Sequence, residues 1–131
     1  MGAVADANAF QEYLQKELGV PSSQIRNLRN AKATRTAIID GIKAFATDTR
    51  IEKGDSMVYY HAGHGSLAKT PKEWLSWNTD QIELLIPHDH SSLDGNPLYG
   101  IPDRTLGILF SVIAREKGNN IVRQNIYSPS P

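Results

Sequence analysis

The sequence lacks cysteine entirely: none of its 131 residues is one. Disulfide bridges, thiolate metal sites and cysteine nucleophiles are therefore excluded by counting alone. Net charge is absent as well, because 14 basic residues balance 14 acidic ones and neither sign forms a run of five. Nucleic-acid-binding domains typically present a basic face, so we expect no nucleic-acid partner.

Long apolar runs are also missing. No stretch approaches the roughly 18 residues that a membrane span requires, and residues 1–6 carry neither a basic start nor an apolar export segment. The sequence therefore predicts a cytoplasmic protein without a membrane partner. Its 40% hydrophobic and 21% charged residues predict one compact globular domain with an ordinary core.

Three segments have the apolar spacing of amphipathic helices. The first covers about residues 6–18, with Asp6 as its expected N-cap. The second follows Thr34, which is a good capping residue. The third opens at Pro102 and closes at Lys117.

Apolar runs without alternation predict strands that are covered on both faces. The clearest covers residues 57–60, and a second covers 82–86. Residues 24–29 fit a short outer strand, and residues 120–122 begin a strand that the following sequence does not continue. Strands that alternate with helices predict an α/β fold with a mainly parallel sheet and helices on both faces.

His64 stands between two glycines just beyond the strand predicted at 57–60. Flanking glycines let the backbone approach a substrate closely and leave an N–H free to face a developing oxyanion. His64 is therefore a candidate general base beside an oxyanion donor. The alternative interpretation is a surface histidine in a glycine-rich turn.

The four histidines raise a second alternative, a metal site, because neutral imidazole is a common metal ligand. His61 and His64 are three residues apart, and His88 and His90 are two apart. No zinc motif such as His-Glu-x-x-His is present, and His61 continues a strand that we expect to be buried. We favour a solvated loop at residues 88–90 over a metal site.

Four other conspicuous residues have structural interpretations. Asp6 and Asp103 fall at predicted helix starts, where a carboxylate complements the helix dipole. Trp74 and Trp77 lie in a polar stretch that we interpret as an insertion or hairpin. We expect these tryptophans to cover its small core rather than to hold a partner.

The segment from Asp55 to Ser66, DSMVYYHAGHGS, resembles the histidine motif of the caspase-like cysteine peptidases, the clan that includes caspases and metacaspases. Further segments resemble the same family, and the last two are most similar to the caspase-domain proteins of fungi: residues 2–7, 31–35, 86–89, 99–106 and 117–121. Together the similarity covers about residues 2–122.

The resemblance implies a three-layer α/β/α sandwich and endopeptidase chemistry by a His–Cys dyad. His64 matches the dyad histidine, which deprotonates the thiol and protonates the leaving amine, and the Gly65 N–H would help to hold the oxyanion. Asp6 matches an acidic residue that metacaspases use to bind a basic P1 side chain. A peptide or protein substrate is implied, with arginine or lysine at P1.

The sequence departs from the family at the nucleophile. The family's cysteine follows the strand that begins near Asn120, whereas this sequence reads on from Val122 to Tyr127 without one. We expect no serine at the corresponding place, so His64 has nothing to activate and hydrolysis is not expected. The acidic pair that helps many metacaspases to bind calcium is reduced to Asp103 beside Arg104. We therefore expect no cofactor, and calcium dependence is not carried over.

The resemblance also implies that the family's first strand would precede Gly2. We interpret residues 1–122 as a partial caspase-like domain and residues 123–131 as an irregular tail. The missing strand is expected to expose sheet edges, through which the chain could associate with itself or with another protein. Truncation at both ends suggests a fragmentary gene product or an incomplete gene model.

Two functions follow as hypotheses. The first is the histidine-bearing part of a caspase-type or metacaspase-type cysteine endopeptidase, catalytically incomplete as written. The alternative is a pseudo-enzyme, a caspase-like binding or regulatory module that keeps the cleft without the chemistry.

Overall fold

The computed structural model describes residues 2–77, 81–90 and 100–128. In this part of the chain, the α-helices are α1 (Ala3–Lys16), α2 (Arg35–Thr47) and α3 (Asp103–Lys117). The strands are β1 (Met57–Lys69), β2 (Gln81–Leu85), β3 (Ile101–Pro102) and β4 (Ile121–Ser128). Short 3-10 helices lie at Ser22–Gln24, Asn30–Lys32 and Lys72–Trp77.

Local sequence signals mark the starts of α2 and α3. The Thr34 side chain accepts a hydrogen bond from the N–H of Ala37 at 3.1 Å, which caps α2 as predicted. Pro102 immediately precedes α3, also as predicted. The predicted N-cap of α1 was wrong: the Asp6 N–H already donates to the Gly2 carbonyl at 3.0 Å. Asp6 therefore lies inside the first turn of a helix that starts at Ala3.

The four strands form one sheet in the order β3-β2-β1-β4. β1 and β4 are parallel, whereas the β1–β2 and β2–β3 pairs are antiparallel. The prediction of a mainly parallel sheet was therefore wrong. A parallel return needs a crossover of a dozen or more residues, usually through a helix. Only residues 70–80 join β1 to β2, so β2 returns antiparallel.

β1 is the longest strand and holds the sheet together. Its first half, Met57–His64, pairs with β4, and its second half, Gly65–Lys69, pairs with β2. The strand was predicted only over residues 57–60, because Ser66–Lys69 carries no run of apolar residues. Pairing with β2 holds that segment extended.

β4 differs from the predicted irregular tail. It continues from Ile121 through Ser128 in register with β1, and residues 129–131 lie outside the described part. β4 is rich in residues that favour strands, such as Ile126 and Tyr127. The polar residues among them obscure the pattern in the sequence.

The main core lies between the sheet and the α2–α3 pair. Its fully buried side chains are Ile42, Leu85, Ile101, Leu106 and Ile113. The ring of Tyr59 meets that of Phe110 in α3 at 5.3 Å. The next residue, Tyr60, stacks on Phe10 of α1 at 4.2 Å. Successive strand side chains point to opposite faces, so α1 and α3 contact opposite faces of β1.

The polar stretch between β1 and β2 contains the 3-10 helix Lys72–Trp77. The guanidinium of Arg104 lies 4.9 Å from the centroid of the Trp74 ring, which is within the range of a cation–π contact. The Trp74 ring therefore contacts a residue of α3. That Trp74 also covers the core of its own insertion stays a prediction. The expectation for the Trp77 side chain falls outside the described residues.

Candidate functional site

His64 lies inside β1, on an exposed part of the strand. The predicted position of His64 just beyond the strand end was wrong, because β1 continues to Lys69 along β2. The His64 carbonyl accepts a hydrogen bond from the Ile86 N–H at 3.0 Å. The backbone of the candidate base is therefore held by the sheet.

The His64 imidazole is not oriented by another side chain. Within residues 2–77, 81–90 and 100–128, no side chain forms a hydrogen bond with it. In catalytic triads, a third group fixes the tautomer and direction of the histidine. The site therefore contains an exposed imidazole that no third side chain of the described residues orients.

Gly65 adjoins His64 and packs against Tyr127 of β4. A Cβ at position 65 would come within 2.6 Å of the Tyr127 ring, so only glycine fits here without displacing that ring. The N–H groups of successive strand residues point to alternate edges. Since the His64 carbonyl faces β2, the Gly65 N–H points toward the side of β4.

Asp6 lies on the same side of the sheet as His64. Burial is the main cause that raises the pKa of Tyr60, and the charge of Asp6 adds to it. Tyr60 and His64 are four residues apart on one strand, so they share a face of the sheet. Asp6 is exposed in the first turn of α1. Asp6 and His64, the two side chains that match residues of the family's site, therefore lie on the same face of the sheet.

Position 128 was missed by the sequence analysis. The β1–β4 register pairs Ser128 with His64, whereas we expected no serine at the place of the nucleophile. Directly paired positions on neighbouring strands are about 5 Å apart. Only the register of a strand that the sequence did not predict could have revealed this pairing.

His61 does not join His64. Because they are three residues apart on a strand, their side chains point to opposite faces. The His61 ring is mostly buried, 5.8 Å from the ring of Tyr127. Burial lowers the pKa of His61 to about 4, opposed by a backbone hydrogen bond with His64. His61 is thus a neutral, half-buried histidine near pH 7.

The residues described here contain no cluster of three or more His, Cys, Asp or Glu that could hold a metal ion. His88 and Asp89 are exposed in a turn. The His88 N–H donates to the Ala33 carbonyl at 2.9 Å, and Asp89 accepts from the Arg35 N–H at 2.9 Å. Residues 88–89 therefore connect the end of β2 to the start of α2.

Asp103 occupies the first turn of α3, as expected for a helix-dipole partner. A carboxylate oxygen of Asp103 lies 3.5 Å from a guanidinium nitrogen of Arg123. The Arg123 guanidinium also lies 4.4 Å from the centroid of the Phe110 ring. These contacts join α3 to β4.

Lowering the pH from 6.5 to 4 is expected to destabilise the fold through His61, by up to about 3 kcal/mol. Its folded pKa of about 4 is below the ordinary 6.5. The unfolded chain therefore binds the proton first, and stability that is complete above pH 6.5 is lost as the pH falls toward 4. Urea unfolding at several pH values measures this slope.

The matched variants are His61→Gln and His64→Gln. Removing the titrating group should flatten the slope only in His61→Gln, whereas His64→Gln should retain it. Equal slopes in the wild type and in His61→Gln would contradict the assignment.

No protein-family model matches the chain, and no curated protein is significantly similar to it. No helix in the described part of the chain is long and apolar enough to cross a membrane. The functional interpretation therefore depends on the residues and their arrangement.

Proposed function

We propose that this chain is a caspase-like domain that carries the histidine side of a cysteine-peptidase site and binds peptides without cleaving them. His64 supplies the imidazole of the site, Gly65 a backbone donor and Asp6 a carboxylate for a basic P1 side chain. Hydrolysis would require a thiol that this sequence does not contain. The chain acts in the cytoplasm, as a pseudo-enzyme.

The observation that carries the proposal is the exposed side chain of His64, for which the sequence supplies no cysteine. His64 is exposed and held by its backbone, and the sequence has no cysteine. A serine hydroxyl is a weak nucleophile unless a positioned base activates it. The His64 imidazole has no orienting side chain among the described residues, and the sequence supplies no thiol for it to activate.

The arrangement of the helices supports a three-layer α/β/α sandwich. α1 contacts one face of β1 through Phe10 and Tyr60, and α3 contacts the other through Phe110 and Tyr59. The parallel pairing of β1 with β4 supports the proposal, because the resemblance implies that the two halves of the dyad stand on neighbouring strands. Both features agree with the resemblance of residues 55–66 to the caspase histidine motif.

The proposal is tested with two assays on the same peptides, which carry arginine, lysine or aspartate at P1. We expect no release of fluorophore by the wild-type chain, with or without calcium. Fluorescence anisotropy should show binding of the arginine and lysine peptides, and weaker binding of the aspartate peptide. The preference follows from the Asp6 carboxylate, because charge pairs favour opposite signs.

Asp6→Asn is the matched variant, since it removes the charge and keeps the shape. It should reduce the preference for arginine over aspartate and leave the fold unchanged, because Asp6 is exposed. Turnover by the wild type that His64→Ala abolishes would contradict the proposal. Absence of any peptide binding would contradict it as well.

A further inference from the structure

The two glycines beside His64 are covered by rings on the face of the sheet opposite to its side chain. Successive strand positions point to opposite faces, so positions 63 and 65 face away from the His64 imidazole. On that far face, the ring of His61 lies against Gly63, and the ring of Tyr127 lies against Gly65. The glycines therefore affect the packing behind His64 as well as the space beside it.

Neither glycine leaves room for a larger side chain. A Cβ at position 63 would lie 3.1 Å from Cε1 and Nε2 of the His61 ring. A Cβ at position 65 would lie 2.6 to 3.1 Å from Cδ1, Cγ and Cε1 of the Tyr127 ring. Carbon atoms attract each other at about 3.5–4.0 Å and repel at shorter distances. Both rings thus pack directly on the backbone of residues 63 and 65.

The two rings come from neighbouring strands and lie side by side. His61 belongs to β1 and Tyr127 to β4, and their ring centroids are 5.8 Å apart, within the range of about 4.5–7 Å that aromatic pairs prefer. His61 also forms a hydrogen bond with the backbone of His64. We call these two rings, His61 and Tyr127, the brace.

The brace lies next to the backbone that the proposed site uses. The Gly65 N–H points toward the side of β4, the strand that carries Tyr127. Among the described residues, no side chain orients the exposed His64 imidazole, so its position depends on the backbone of β1. Whatever fixes that backbone therefore fixes both His64 and the Gly65 N–H.

We propose that His61 and Tyr127 are positioning residues for the peptide-binding site. Their rings hold the backbone of residues 63–65 from the far face, and thereby set the direction of the Gly65 N–H and the place of the His64 side chain. This inference rests on the function proposed above and extends it to two residues that do not touch the peptide.

Gly65→Ala and Tyr127→Ala test the contact on which the brace depends. In the wild-type background, Gly65→Ala should lower the unfolding temperature by roughly 5 °C or more, because the added methyl group displaces the ring. In the Tyr127→Ala background, the same substitution should leave the unfolding temperature unchanged or raise it, since alanine is favoured over glycine within a strand. Losses of equal size in the two backgrounds would overturn the proposal.

Nuclear magnetic resonance reports the position of the Tyr127 ring directly. An aromatic ring shifts the resonances of the protons that lie against it. The α-protons of Gly65 should therefore be shifted in the wild type and in Tyr127→Phe, and the shift should be lost in Tyr127→Ala. Tyr127→Phe is the matched control, because ring carbons and not the hydroxyl make the contacts with position 65.

The effect on the site is measured with the arginine, lysine and aspartate peptides described above. Tyr127→Ala and His61→Ala should each weaken the binding of all three peptides by about threefold to tenfold, which corresponds to one hydrogen bond. The loss should not depend on P1, because a backbone N–H contacts the main chain of a peptide. Asp6→Asn, in contrast, should change the preference among the peptides. Tyr127→Phe should retain the wild-type affinity.

The positioning role and the proposed function fail in different ways. Unchanged affinity in Tyr127→Ala, with binding by the wild type intact, would overturn the positioning role and leave the proposed function standing. Equal losses in Tyr127→Phe and Tyr127→Ala would also overturn it, since the ring would not be the cause. Absence of binding by the wild type would contradict the proposed function and, with it, any role of the brace in binding. The unfolding temperatures and the Gly65 resonances would then still show whether the brace holds residues 63–65.

Discussion

Replacing Ser128 with cysteine is expected to create a thiol that reacts with iodoacetamide at pH 6.5 about three to eight times faster than a free cysteine. The register places position 128 opposite His64, and a nearby imidazolium lowers the pKa of a thiol from its free value of about 8.5. A fall of one or two pKa units raises the thiolate fraction at pH 6.5 about nine- to fiftyfold. The weaker nucleophilicity of a less basic thiolate reduces the gain in rate to the smaller factor. Mass spectrometry of the alkylated chain measures the rate.

The chain has no native cysteine, so each variant carries a single thiol. Gln124→Cys is the matched control, because it lies on the same strand and face but pairs with Tyr60 and not with a histidine. The rate at position 124 should be that of a free thiol, and His64→Ala should lower the rate at position 128 to the same value. Equal rates at 128 and 124 would show that the register does not bring a nucleophile to His64.

Replacing Leu106 with alanine is expected to lower the free energy of unfolding by roughly 2–5 kcal/mol. Leu106 is 0% exposed in the core between α3 and the sheet. Removing its branched end leaves a cavity that close-packed neighbours fill only in part. Urea denaturation followed by circular dichroism measures the loss.

Ile108→Ala is the control in the same helix. Ile108 is 57% exposed, and alanine is the better helix former, so its substitution should change stability by about 0.5 kcal/mol or less. Similar losses for the two variants would contradict the arrangement in which α3 buries Leu106 and exposes Ile108.

The helices were predictable because their signals are local. Thr34 caps α2 through a hydrogen bond three residues along the chain, and Pro102 precedes α3. Both signals can be recognised without knowledge of the tertiary structure. The prediction of Asp6 as an N-cap was wrong because a carboxylate is favourable both at the N-cap and in the first turn of a helix.

The sheet was less predictable because its strands depend on their partners. Ser66 and Lys69 lie in a strand only because β2 pairs with them. Arg123 and Gln124 interrupt the apolar pattern of β4, yet they pair with Tyr59 and Tyr60. Strand propensity depends on such neighbours more than helix propensity does, so the sequence alone underestimates both strands.

The candidate site was predictable in its residues but not in its geometry. His64 and Gly65 stand out in the sequence through the glycines around the histidine. The opposite directions of His61 and His64 follow only once both are known to lie in β1. The pairing of His64 with position 128 depends on the register of two strands whose paired residues are 64 positions apart in the chain, which no local pattern specifies.

The most direct measurement of the central claim is cleavage of the arginine-P1 fluorogenic peptide by the wild type, Ser128→Cys, and the double variant His64→Ala/Ser128→Cys. The account predicts no turnover by the wild type, because His64 has no activated nucleophile. Any turnover in Ser128→Cys should disappear in the double variant. Turnover by the wild type that is lost in His64→Ala would show that the chain already holds a working nucleophile, and it would contradict the account.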